Sequence, residues 1–144
     1  MHTPQRAEPQ SFRARRLQAS LTVKDIEGSL RWYHEVVGFT VDQKYEREGK
    51  LRAVVLKAGE VRILINRDDG ARGWDRVKGE GFSLSFVTAQ DIDEVAQRIR
   101  DMGGTLETEP ADMPWGARVF SLRDPDGYKL TIMSERPFGP VPAA

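Results

Sequence analysis

The feature that most constrains this chain is a repeat, in which the same order of signals occurs twice at an offset of 66 residues. Asp25-Ile26-Glu27 matches Asp91-Ile92-Asp93, Gly38 matches Gly104, and Arg52, Val54 and Leu56 match Arg118, Phe120 and Leu122. A length of 144 residues fits one domain, so the two copies are modules of one fold rather than separate domains.

In the first copy, Leu17, Ala19, Leu21 and Val23 alternate with Gln18, Ser20 and Thr22, the pattern of a strand with two unlike faces. Asp25 is an N-cap for a helix carrying Ile26, Leu30, Tyr33 and Val37 at helical spacing, and Gly38 can supply its left-handed end. Three extended segments follow, near 40–46, 51–57 and 61–66, the last two turned at Ala58-Gly59-Glu60. The second copy opens with a strand over 83–88. A capping box of Asp91 and Glu94 then precedes Ile92, Val95, Ile99 and Met102, and Gly103-Gly104 closes the helix. Strands near 105–109, 118–123 and 128–134 complete it, the last pair joined by the turn Asp124-Pro125-Asp126-Gly127. The predicted fold is α+β, two βαβββ modules over 15–66 and 82–135 with a glycine-rich linker at 67–81. Proline-rich flanks without apolar periodicity, 1–14 and 136–144, read as mobile ends.

Composition narrows the function classes. Lys+Arg 22 against Asp+Glu 22 leaves no net charge, which disfavours nucleic acid and anionic membranes as partners. The cationic tail through Arg16 carries a net +3 and leaves the body at −3; a solvated leader or a weak anion contact both fit it. Without cysteine there is no disulfide, thiolate metal site or cysteine nucleophile. No apolar run approaches a membrane span and no secretory leader is evident, so the expected location is cytoplasmic.

One helix covers only one face of each module's sheet, and the other face needs a partner module or a ligand. Curved mixed sheets set side by side would form a cup, the natural place for a site. The order Leu21-Thr22-Val23-Lys24-Asp25-Ile26-Glu27-Gly28-Ser29-Leu30-Arg31-Trp32-Tyr33 with Val36-Val37-Gly38-Phe39, then Pro114-Trp115-Gly116-Ala117-Arg118 and Asp124-Pro125-Asp126-Gly127-Tyr128, resembles the vicinal oxygen chelate superfamily. This is the glyoxalase/bleomycin-resistance/dioxygenase group, and the resemblance covers about residues 16–134. It implies a homodimer, and it implies a divalent metal in the cup wherever the ligands are present. The four positions it carries over are Gln18, Ile63, Ser83 and Thr131, of which only Gln18 is a conventional ligand. His2 lies in the tail and His34 on the first helix, away from the cup. The expectation is therefore no metal and no cofactor.

By strand phase the cup presents Gln18, Ser20, Thr22, Ser83, Ser85 and Thr131 as polar groups, with Lys129 and Met133, and with Ile63 and Ile65 as an apolar wall. The serines lack a neighbouring base and can equally be small strand residues at the module junction. Trp115 can stack on a planar ligand or cap the core, and Arg118 can bind an anionic group or form a structural ion pair. Trp32 and Tyr33 read as helix packing, and Trp74 can line a cup or a dimer contact. The expected function is metal-independent binding of a small organic ligand. A metal-dependent lyase, isomerase or dioxygenase and a ligand-sensing accessory protein are the alternatives.

Overall fold

The computed structural model describes residues 12–74 and 76–135, and the expectations for the outermost tails fall outside that range. Eleven elements follow in order: β1 (Gln18–Val23), α1 (Ile26–Arg31) continued by a π-helical segment (Trp32–Val37), β2 (Thr40–Arg47), β3 (Lys50–Ala58), β4 (Val61–Arg67), β5 (Ser83–Thr88), α2 (Ile92–Asp101), β6 (Thr108–Asp112), β7 (Arg118–Arg123) and β8 (Lys129–Ser134). They form two separate four-stranded sheets, ordered β1-β4-β3-β2 and β5-β8-β7-β6. In each, the first strand runs parallel to the last and the remaining pairs are antiparallel. The doubled βαβββ architecture is thus present, and the two sheets do not close on each other.

Local chemistry explains the helix ends. The Asp25 carboxylate accepts from the Gly28 N–H at 3.1 Å, and Asp91 accepts from Glu94 N–H at 3.1 Å, each satisfying a donor that the first helical turn leaves free. The first helix does not stay α-helical to its end. Past Arg31 it widens into the π segment, whose close is made by Gly38 and Phe39 N–H groups both donating to the Tyr33 carbonyl, at 3.0 and 2.8 Å. Gly38 takes φ 107 there, a value open to glycine at little cost. In the second module the left-handed residue is Gly103 rather than the aligned Gly104. Gly104 instead lets the modules approach: a Cβ on it would sit 2.7 Å from Val36 Cγ1 and 2.5 Å from Ile99 Cγ2.

Two further expectations are corrected. Leu17 is not a helix-facing strand residue; it precedes β1 and is 88% exposed. The strand expected near 105–109 forms three residues later, because residues 105–107 carry the chain from α2 to the sheet edge. Pro110 is tolerated on that edge beside an irregularity between Thr108 and Ala111.

The core lies on the helix-bearing faces and is shared by both modules. Leu21, Val23, Val54, Leu56, Ile63 and Ile65 of the first pack in one cluster with Phe120, Leu122, Leu130 and Ile132 of the second, under Ile26, Tyr33, Ala96 and Ile99. An edge-to-face chain of rings, Trp32 to Tyr33 to Phe39 to Phe86, crosses the junction.

A polar latch secures the same junction. Tyr33 Oη donates to Asp124 Oδ2 at 2.6 Å, Tyr128 Oη donates to the Thr22 carbonyl at 2.9 Å, and the Lys24 N–H donates to Asp126 Oδ1 at 2.9 Å. The linker joins in. Lys78 Nζ lies 2.9 Å from Asp68 Oδ2 and 3.3 Å from Asp126 Oδ1, with all three side chains buried. Burial alone would lower the Lys78 pKa, but Asp68 and Asp126 outweigh it and hold the ammonium above its ordinary value. The Gly70 N–H and then Lys78 hold Asp68 below its ordinary value. Burial raises Asp124 despite the Tyr33 bond, and burial followed by the Asp124 charge keeps the Tyr33 phenol protonated far above the usual range.

Candidate functional site

Strand register decides what each sheet shows to the side away from the core. Parallel pairing sets Gln18 across from Arg62, Ser20 from Leu64 and Thr22 from Asn66, and cross-strand partners share a face. Because Ile63 and Ile65 are core residues at 1% and 0% exposure, the even positions of β4 must face the cup. Ile63 therefore belongs to the helix side, and the cup wall assigned to Ile63 and Ile65 is replaced by Arg62, Leu64 and Asn66. The run Ile63-Leu64-Ile65 hides this phase, since apolar side chains point both ways; the polar residues flanking it at even positions, Arg62 and Asn66, were the usable signal.

On the first module Gln18, Arg62 and Leu64 border a cavity of about 560 Å³. Its floor is apolar, from Ala53, Val55 and Leu64, and Gln18, Gln43, Tyr45 and the Asp42–Arg62 pair supply polar groups, with Arg16 at the margin. Arg62 Nε donates to Asp42 Oδ2 at 3.2 Å, and Tyr45 Oη donates to Gln43 Oε1 at 2.6 Å. Ser20 Oγ accepts from Asn66 Nδ2 at 2.7 Å, which orients its hydroxyl beside the cavity. Of the residues expected here, Gln18, Ser20 and Thr22 do share one face. Asp42, Gln43, Tyr45 and Arg62 were not anticipated.

The second module shows Ser83, Ser85 and Val87, paired with Lys129, Thr131 and Met133, on its corresponding face. Ser83 and Ser85 are exposed and Thr131 half-buried. A larger cavity of about 780 Å³ runs from the linker residues Lys78–Phe82 to Ser83 and Lys129. One of these cavities is lined by the first module and its approach, the other by the second module and the linker, and neither holds Gln18 together with Ser83.

Arg118 is a structural residue. It shares its strand face with Phe120 and Leu122, which are core, so it points to the helix side. There its Nε and Nη2 grip both oxygens of Asp93 and its Nη1 donates to Asp112, all at 3.0 Å. Asp93 first and Asp112 second raise its pKa above an already high value, and its side-on fork is filled by Asp93. Trp115 lies at the tip of the β6–β7 hairpin, 41% exposed, and lines neither cavity. Trp74, in the linker, lies over Gly70. His34 Nδ1 is 2.7 Å from the Phe39 carbonyl, on the helix end.

The first-module cavity is lined by one carboxylate and no histidine. Gln18, Gln43 and the Asp42 carboxylate are oxygen donors of that cavity, but Asp42 is held by Arg62, Leu64 cannot ligate, and the Arg62 cation across from Gln18 opposes a second positive charge. Among the described residues no group of three or more His, Cys, Asp and Glu is placed to hold a metal ion.

With this geometry in view, the sequence and fold relatives can be placed. The model of the Glyoxalase/Bleomycin resistance protein/Dioxygenase superfamily matches residues 15–132. The chain belongs to this superfamily. It is 28% identical over 123 residues to a probable lactoylglutathione lyase of Synechocystis sp., covering 81% of this chain and 92% of that protein. To the glutathione transferase FosA of Serratia marcescens it is 24% identical, with 78% of this chain and 75% of that one covered. It spans 48% of the length of a lactoylglutathione lyase of Arabidopsis thaliana. Among solved structures, TnmS3, an antibiotic binding protein from Streptomyces sp. CB03234, superposes with a TM-score of 0.66 at 21% identity, covering 87% of this chain and 98% of that one. TioX from Micromonospora sp. ML1 gives a TM-score of 0.67 at 20% identity, covering 84% and 98%. These likenesses concern the fold, and in this superfamily the site residues must decide the chemistry.

Proposed function

We propose that this superfamily member binds a small organic molecule without a metal, on the sheet faces that carry Gln18, Ser20 and Thr22 in one module and Ser83, Ser85 and Thr131 in the other. The observation that carries the reading is the composition of the cup faces, where an amide and several hydroxyls surround an apolar floor and a guanidinium stands across from Gln18. Such a surface can orient a ligand by hydrogen bonds. It holds no paired acid and base suited to proton transfer.

The core consumes the helix-bearing faces of both modules and leaves both cup faces outward, each half of a site. In this reading two chains pair as a homodimer, the first module of one meeting the second of the other, and the cup is completed between chains. Among the described residues no helix is long and apolar enough to cross a membrane, and the proposed location is the cytoplasm. The reading leaves nucleic acid without a role, since the chain has no net positive charge.

The alternative, a metal-dependent lyase, isomerase or dioxygenase, is supported by the names of the lactoylglutathione lyase relatives. Elemental analysis of untagged protein, joined to light scattering, separates the two. The proposal expects substoichiometric metal, no tight divalent binding and a dimer; one firmly held metal per chain would establish the alternative, and a monomer would remove the shared cup.

A further inference from the structure

We infer that the ligand of the first-module cup is an anion with an apolar body, and that Arg62 receives its negative group; this deepens the binding reading above and rests on it. Among the described residues, the strand arginines Arg47 and Arg52 are exposed and make no side-chain bond, and the other four employ their donors unequally. Arg118 commits three nitrogens to two carboxylates. Arg123 commits two to Glu107 and one to the Gly127 carbonyl, and Arg67 divides its donors between the Leu51 carbonyl and Glu27. Arg62 differs. Only its Nε is engaged, by Asp42, and among the described residues neither terminal nitrogen has a partner.

That half-used fork is not out in solvent. The Arg62 side chain is 25% exposed and lines the 560 Å³ cavity beside Gln18, with Arg16 at the same margin. Two cations against the single carboxylate of Asp42 give this end of the cup a positive excess, although the chain as a whole is neutral. A planar guanidinium whose edge between the two terminal nitrogens is free matches carboxylate, sulfonate or phosphate oxygens, and a partly dehydrated one binds them more strongly than a surface lysine would. The Gln18 amide can donate to the same group. Next along the face, Val55, Leu64 and Ala53 form an apolar floor bordered by Tyr45, so the remainder of the ligand is apolar or aromatic. Asp42 holds the guanidinium in place from its Nε side, which leaves the opposite edge to the ligand.

Two dyes with one ring system separate the claims. Anilinonaphthalene sulfonate carries the anion and phenylnaphthylamine lacks it, and both report binding by fluorescence. Wild-type protein should bind the sulfonate about tenfold or more tightly than the neutral dye, as expected for charge-assisted hydrogen bonds. Arg62→Gln should erase that preference, bringing the ratio of the two dyes' affinities close to one, and Arg62→Lys should retain part of it. Should Arg62→Gln misfold, salt serves instead, because the wild-type preference must shrink as ionic strength rises. Equal affinities in the wild type, a preference surviving in Arg62→Gln, or one indifferent to salt would overturn the anion inference and leave the binding site standing. Binding of neither dye would instead remove the cup as an apolar ligand site, and the inference with it.

Discussion

Arg62 and Arg118 are both strand arginines beside carboxylates, yet they stand on opposite faces of their sheets and do opposite work. Arg118 is on the Phe120 face, where two aspartates close its fork and pin β7 and β6 to the start of α2. Arg62 is on the Leu64 face, where one aspartate takes one nitrogen and the rest is open to a cavity. A strand residue's role is set first by parity relative to the core, and only then by its chemistry. Proximity in sequence to a conspicuous tryptophan is a weaker guide.

The contrast between faces can be broken most forcefully in the core. Phe120→Ala, at a fully buried position, should lower stability by about 3–5 kcal/mol in urea unfolding. Leu64→Ala on the cup face should cost clearly less, since its side chain is only partly buried. Equal losses would mean that the cup face is packed in solution as tightly as the core.

The next effect is a pH signature of the latch. Asp68 is held below its ordinary pKa, so its contribution is present above the unfolded value of about 4 and is lost as pH falls through the folded one. Lys78 is held above its ordinary value, so its contribution is full below about 10 and is lost as pH rises through the folded value. Asp124, raised by burial, has the reverse sign, favouring the fold most at low pH. Lys78→Met should therefore destabilise the protein most between those limits, and its thermal midpoint should converge on the wild-type curve in acid. A difference independent of pH would show that the ion pair is not the source. The smallest effect sharpens the arginine comparison itself. Arg118→Gln should lower the midpoint modestly while leaving dye affinity unaltered, and a loss of dye binding would return Arg118 to the site.

Most of the architecture was legible because its signals were local. The caps at Asp25 and Asp91, the left-handed Gly38, the turn at 124–127 and alternation in β1 each depend on a few neighbouring residues. The site was legible only where alternation was clean. Gln18, Ser20 and Thr22 came out on one face, but Ile63-Leu64-Ile65 is apolar on both sides and concealed Arg62. The alignment of Arg118 with Phe120 and Leu122 already implied the helix side, yet its aspartate partners come from another strand and a helix, which no local window contains. The linker was read from its glycines as a plain connection, whereas Lys78 stands between Asp68 and Asp126, a partner that only the fold brings to it.

The shared core has a consequence for how the doubled chain behaves in time. Although the halves look like two copies of one unit, neither possesses a complete interior: Tyr33 of one meets Asp124 of the other, and Val36 seats against Gly104. A half-chain would leave its helix and its best apolar strands uncovered, so the copies unfold together. Backbone amides of β4 and β8, far apart in the chain, should then exchange their hydrogens through the same global opening and at the same slow limit.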